Sequence, residues 1–89
     1  SGIGVDRTGA LIYAGGEGLN LQNLAEVLHR AGAVRAMELD IHPHMVTFNL
    51  FRHLADGRIE GDKLLPTMTE SATRYLTVDQ RDFVAVLAR

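Results

Sequence analysis

Residues 36–49, AMELDIHPHMVTFN, bring together two carboxylates, Glu38 and Asp40, and two of the chain's four histidines, His42 and His44. Side chains of an extended segment alternate between faces with period 2. Glu38, Asp40, His42 and His44 then share one face, and Met37, Leu39 and Ile41 point the other way, toward a core. Carboxylates and imidazoles so placed can donate, accept or relay protons. Two carboxylates beside one glycosidic bond are the usual equipment for its hydrolysis, one as acid and one as base or nucleophile. Residues two apart on one strand face hold their carboxyl groups roughly 6–7 Å apart, compatible with either stereochemical outcome. Asp40 works as a general acid only if burial or the neighbouring Glu38 raises its pKa above the ordinary carboxylate range.

The histidines admit three readings. They could act as acid–base groups, because imidazole titrates near neutrality. They could bind a divalent metal together with Asp40 or Glu38. They could also be loop residues bonded to the backbone. Thr47 and Asn49 lie just beyond and could contact a substrate. Arg52, His53 and Arg74 could meet a phosphate if folding brings them near, since arginine pairs with phosphate bidentately.

The elements that must position these groups read as follows. Residues 35–41 form a buried strand that stops or bulges at Pro43, which has no N–H for a ladder. Residues 2–6 and 10–14 are strands, joined by Asp6-Arg7-Thr8-Gly9, a type I turn with Asp first and Gly last. Gly15-Gly16-Glu17-Gly18 could cradle a phosphate with backbone N–H groups. It lacks the lysine and the spacing of a nucleotide loop, so a strand-to-helix connection is the stronger reading. Residues 20–31 are a helix: Leu21, Leu24, Ala25, Leu28 and Ala31 form its apolar stripe, Asn20 its cap, Leu19 and Leu24 a staple, and Gly32 its stop. His29 and Arg30 suit its last turn electrostatically and need no further role.

Residues 45–53 form a strand, 55–58 a turn and 59–70 mostly loop. Residues 72–76 hold a short strand, and 77–81 a helical turn capped by Thr77. Residues 82–88, DFVAVLA, are a buried closing strand. Met37, Met45, Met68, Tyr75 and Phe83 are core or core-edge residues. The order β-β-α-β-β-loop-β gives an α+β fold with one main helix packed on a mixed sheet.

Eighty-nine residues make one small domain. The chain has no cysteine, so neither disulfides nor thiolate metal sites can form. Its net charge is −2 and its basic residues are scattered, which argues against nucleic acid as the main partner. No apolar run is long enough to span a membrane, and no signal-peptide pattern stands at Ser1. The chain opens directly into a strand, as a domain cut from a larger protein would.

GIGVDRTGALIYAGG resembles the strand-turn-strand hairpin of the phosphodiester glycosidase family, the group that includes the N-acetylglucosamine-1-phosphodiester α-N-acetylglucosaminidase of lysosomal tag processing. LNLQNLAEVLHRAGAVRAMELD resembles that family's helix and the strand ending in Leu-Asp-Gly-Gly-Gly-Ser, and RDFVAVLAR its closing strand. The likeness covers most of residues 2–53 and 82–89. It implies an exported or cell-envelope hydrolase acting on a carbohydrate or sugar-phosphate ligand. Asp40 would stand at the family's aspartate, Glu38 beside it as the second carboxylate and His42 as an assisting base or ligand. His44, Thr47, Asn49 and Arg52 would bind substrate, with no obligatory cofactor.

Two departures qualify the likeness. Ile41-His42-Pro43-His44 replaces the family's glycine run, whose backbone can approach a phosphate closely. It is more similar to a bacterial branch with Leu-Asp-Ile-Asn-Pro. The family's upstream Arg-Thr/Ser-Ala segment is also missing, so the chain reads as the C-terminal portion of a larger domain. The alternative is a non-catalytic carbohydrate-binding or interaction domain of the same fold. Either way, unpartnered sheet edges lead to the expectation of a homodimer, or of pairing with the rest of a parent chain.

Overall fold

The computed structural model describes residues 1–42, 44–78 and 82–87. Its first hairpin builds its own turn. The Asp6 carboxylate accepts from the Thr8 N–H at 2.8 Å, the Thr8 hydroxyl at 2.6 Å and the Ala10 N–H at 2.9 Å. Gly9 supplies the positive φ, 85°, that closes it. The flanking strands are β1 (Gly2–Val5) and β2 (Leu11–Ala14), paired antiparallel.

Helix α1 (Leu21–Arg30) has the expected ends. The Asn20 side chain accepts from the Asn23 N–H at 2.8 Å, which satisfies one of the helix's open donors. At the other end Gly32 takes φ 97°. Its N–H donates to the His29 carbonyl and the Ala33 N–H to the Leu28 carbonyl, both at 3.0 Å, the paired bonds of a Schellman stop. Leu24 and Leu28 are 1% and 3% exposed and form the core with Ala14. Leu19, Ile12 and Ala33 pack around them.

Strand β3 (Arg35–Glu38) pairs with β1, giving the order β2-β1-β3. β2 and β3 both run opposite to β1, so α1 is the crossover between two strands that are parallel but not adjacent. The helix can lie close because β1 is partly glycine. A Cβ on Gly2 would come within 2.9 Å of Leu28 Cδ1, and one on Gly4 within 2.7 Å of the Arg35 carbonyl oxygen.

The register corrects the sequence reading of β3. Residues opposite one another across antiparallel strands share a face, and Gly2 lies opposite Glu38. Gly2 faces Leu24 and Leu28, so Ala36 and Glu38 take the helix side. Met37 takes the outer side, where it is 60% exposed instead of in a core. The strand also ends at Glu38 and not at Ile41, although ladder-like bonds continue: the Leu39 N–H donates to the Ser1 carbonyl at 2.8 Å.

A second, two-stranded sheet holds β4 (Asn49–His53) and β5 (Ile59–Lys63) in antiparallel register. Its turn uses Asp56, which accepts from the Arg58 N–H at 3.0 Å, and Gly57 at φ 86°. β4 is shorter than the expected strand over 45–53, though Phe48 still accepts from the Leu64 N–H. β5 replaces part of the loop expected over 59–70: pairing with β4 makes the segment a strand although it has no apolar period.

The expected strand over 72–76 is instead a 3-10 turn, Arg74–Leu76. The Thr77 hydroxyl donates back to the Arg74 carbonyl and closes that turn. Residues 79–81 of the expected helical turn lie outside the described residues, as do Pro43 and the ends of the chain at 88–89. The closing strand is absent over the described 82–87. Phe83 is 61% and Leu87 85% exposed, and Phe83 meets only the half-buried Tyr75 ring as an aromatic neighbour. Of the methionines, Met68 is buried, while Met37 and Met45 are exposed.

The fold is α+β, with one helix on a small sheet. The two sheets meet where Tyr13 of β2 packs on Phe48, ring centroids 4.3 Å apart. No helix among the described residues is long and apolar enough to cross a membrane.

Candidate functional site

Asp40 is the last residue that the first sheet holds. Its carbonyl accepts from Ser1 N at 2.6 Å and from the Ser1 hydroxyl at 3.0 Å. That clamp fixes the backbone where the strand hands over to a loop, a common place for site residues. Glu38, Asp40, His42 and His44 are all exposed.

The loop beyond Asp40 turns tightly. The Met45 N–H donates to the His42 carbonyl at 2.9 Å and the Val46 N–H to the same oxygen at 3.3 Å. The His44 N–H donates to His42 Nδ1 at 3.3 Å. An accepting Nδ1 leaves Nε2 to carry the proton of neutral His42, so that nitrogen is a donor. The two rings sit 5.2 Å apart, centroid to centroid, tilted by 40°. The turn is tied to the second sheet's far loop by the Thr69 hydroxyl, 3.5 Å from the His44 carbonyl.

Among the described residues, no three His, Asp or Glu side chains gather closely enough to hold a metal ion. The divalent-metal reading of His42 and His44 therefore has no set of donors there.

The remaining candidates lie on the approach to the second sheet. The Thr47 hydroxyl and the Asn49 side-chain Oδ1 are buried without a hydrogen-bond partner, as is the Tyr13 hydroxyl. Unpaired buried oxygens are uncommon in folded proteins. Burial pushes the Tyr13 phenol's pKa up. The Ser1 hydroxyl, though outside good hydrogen-bond geometry, offsets part of that rise, and the Asp40 charge adds to it. Asp40 is thus felt electrostatically across the first sheet. The Arg52 guanidinium lies 3.1 Å from both Glu60 and Asp62 on β5, so acidic neighbours already balance its charge. His53 is exposed at the end of β4. Arg74 lies over the Tyr75 ring and 3.8 Å from Glu70.

Two clefts open on the surface, and only one of them lies beside the site. The larger, about 420 Å³, lies between the first hairpin turn and the C-terminal end of α1, and contains none of the candidate residues. The second, about 280 Å³, reaches the turn through Ile41. The glycine loop forms one of its walls, and Val46, Leu65 and Met68 contribute apolar surface. Sequence reading singles out neither Val46 nor Leu65 and takes Met68 only as a core residue. They join the cleft through contacts some twenty residues apart in the chain, which no local pattern encodes.

Compared with protein-family models, curated proteins and solved structures, the chain matches none.

Proposed function

We propose that this chain is a phosphodiester glycosidase-like domain that hydrolyses a sugar–phosphate diester or a related glycan bond. The observation that supports it best is the clamped backbone of Asp40, with a histidine-bearing turn directly beyond it. In this reading Asp40 and Glu38 are the carboxylate pair, one protonating the leaving phosphate oxygen as the bond to the anomeric carbon breaks. The other takes the proton of the water that attacks that carbon, so the products are the free sugar and a phosphate monoester. His42, with Nε2 as a donor, orients the phosphate or assists the base. His44, Thr47, Asn49 and Arg52 are the substrate contacts in this reading, Arg52 through whatever its pairing with Glu60 and Asp62 leaves exposed.

The test is turnover of an aryl phosphodiester and of sugar-1-phosphate esters by the wild-type chain and Asp40→Asn. The substitution keeps size while removing charge and proton. Loss of at least about 100-fold in turnover, with the fold intact, is expected. Full activity in the folded variant would sink the assignment.

A second reading is a non-catalytic glycan-binding or interaction domain that works as a homodimer or against the rest of a parent chain. It is favoured by the exposed apolar side chains of Met37, Val84, Val86 and Leu87. Saturable glycan binding with no turnover on any ester would select it.

A further inference from the structure

We infer that the 280 Å³ cleft beside the Asp40 turn seats an apolar group carried on the phosphate of the substrate, so the preferred substrate class is an alkyl or prenyl diester of a sugar 1-phosphate. The inference rests on the phosphodiester reading above and names its substrate more closely. Three observations carry it.

The first is continuity. Ile41 lines the cleft and is bonded in the chain between Asp40 and His42, so the cleft opens beside the turn. The second is the lining. Val46 and Met68 are 7% and 4% exposed, and Ile41 and Leu65 are half-buried beside them. The cleft therefore has an apolar floor, and its volume is near the lower end for small-molecule sites, roughly 300 Å³. The third is charge. The polar groups at the cleft are Glu17 and Thr67, with no cation among its lining residues. The Glu17 carboxylate repels a phosphate, so the uncharged part of the ester enters the cleft and the anion stays outside it. That also settles the glycine loop as a cleft wall and not a phosphate cradle.

The floor is well anchored. Met68 Sδ accepts from the Phe48 N–H at 3.4 Å, and Lys63 Nζ donates to the Met68 carbonyl at 2.9 Å. The cleft is therefore built between the glycine loop and a braced segment. Apolar surface removed from water there favours longer alkyl groups over shorter ones.

The experiment compares the octyl and methyl diesters of glucose 1-phosphate, by titration followed through methyl NMR signals and by turnover. The expected result is at least tenfold tighter binding of the octyl ester. Its largest shifts should fall at the methyls of Ile41, Val46, Leu65 and Met68. Thr67→Trp, a change at an exposed position that narrows the cleft, should bring the ratio of the two affinities near one, with helical circular dichroism unchanged. Binding of the octyl ester at those methyls without turnover would uphold the cleft and overturn the hydrolase reading. Equal affinity for the two esters, or shifts elsewhere, would overturn the cleft even if both are hydrolysed. Absence of binding and of turnover would overturn both.

Discussion

At the scale of single residues, the chain separates groups held by their own neighbourhood from groups held by the fold. Asp6 belongs to the first kind. The Thr8 hydroxyl and then the Ala10 N–H hold its carboxyl below the usual range. A carboxylate with a lowered folded pKa stabilises the fold above its unfolded value, and that contribution disappears as pH falls through the folded value. Carboxyl NMR should therefore show Asp6 titrating below the ordinary aspartate midpoint, with the hairpin turn loosening only in that acid range; an ordinary midpoint would contradict the turn. Tyr13 belongs to the second kind, since its hydroxyl is buried without a partner by packing on Phe48. Removing an unpaired buried hydroxyl relieves a desolvation cost. Tyr13→Phe should leave stability unchanged or raise it by up to about 1 kcal/mol in denaturant melts. A loss larger than that would show that the hydroxyl has a bonding partner. The place of Asp40 at a strand end was legible because its neighbours alternate, but the face its strand turns to the helix was not. Glycines at 2 and 4 draw α1 onto the Glu38 side, a preference written in β1 and not in β3.

At the scale of elements, what the sequence made plain is what a few adjacent residues decide. The first hairpin and α1 carry their own turn, cap and stop within short stretches. The helix buries a single seam, Leu24 and Leu28, against Ala14. Leu24→Ala or Leu28→Ala should cost about 2–5 kcal/mol, because the cavity left in so small a core cannot collapse fully. A domain of this size has little stability to lose, so partial unfolding at room temperature is expected. Unchanged denaturant midpoints would mean that α1 presents another face. The strands past residue 44 were harder to read, because a strand is a pairing and not a property of one segment. Ile-Glu-Gly-Asp-Lys has no apolar alternation, yet it lies against β4 residue for residue. Asp-Phe-Val-Ala-Val-Leu has the composition of a buried strand, yet residues 82–87 form none. The cleft beside Asp40 escaped for the same reason, since its walls come from three separate loops.

At the scale of the whole molecule, α1 covers one face of the first sheet, while the other is covered only in part, where Phe48 packs on Tyr13. α1 occupies the face of Gly2 and Ala14. On the other face Met37 and Leu11 are exposed, and every residue of β3 is exposed. β3 closes one end of the strand order, so its outer row of N–H and C=O groups has no neighbouring strand among the described residues. Open edges of this kind are templates for another chain. The same protein also carries Val84, Val86 and Leu87 as exposed apolar side chains on a segment without strand structure. A two-fold pairing in which each copy covers the other's open face or edge would remove both exposures together. The expected outcome is a homodimer at micromolar concentration, with a light-scattering mass about twice the 9.7 kDa of one chain. Met37→Lys and Val84→Lys should each shift the population toward the single chain, because a lysine in a dry interface costs more than one in water. Neither residue packs in the helix core, so helicity should persist in both variants. A mass near 9.7 kDa for the wild-type chain at high concentration would mean that the sheet edges are satisfied within one molecule, and the paired assembly would have to be abandoned.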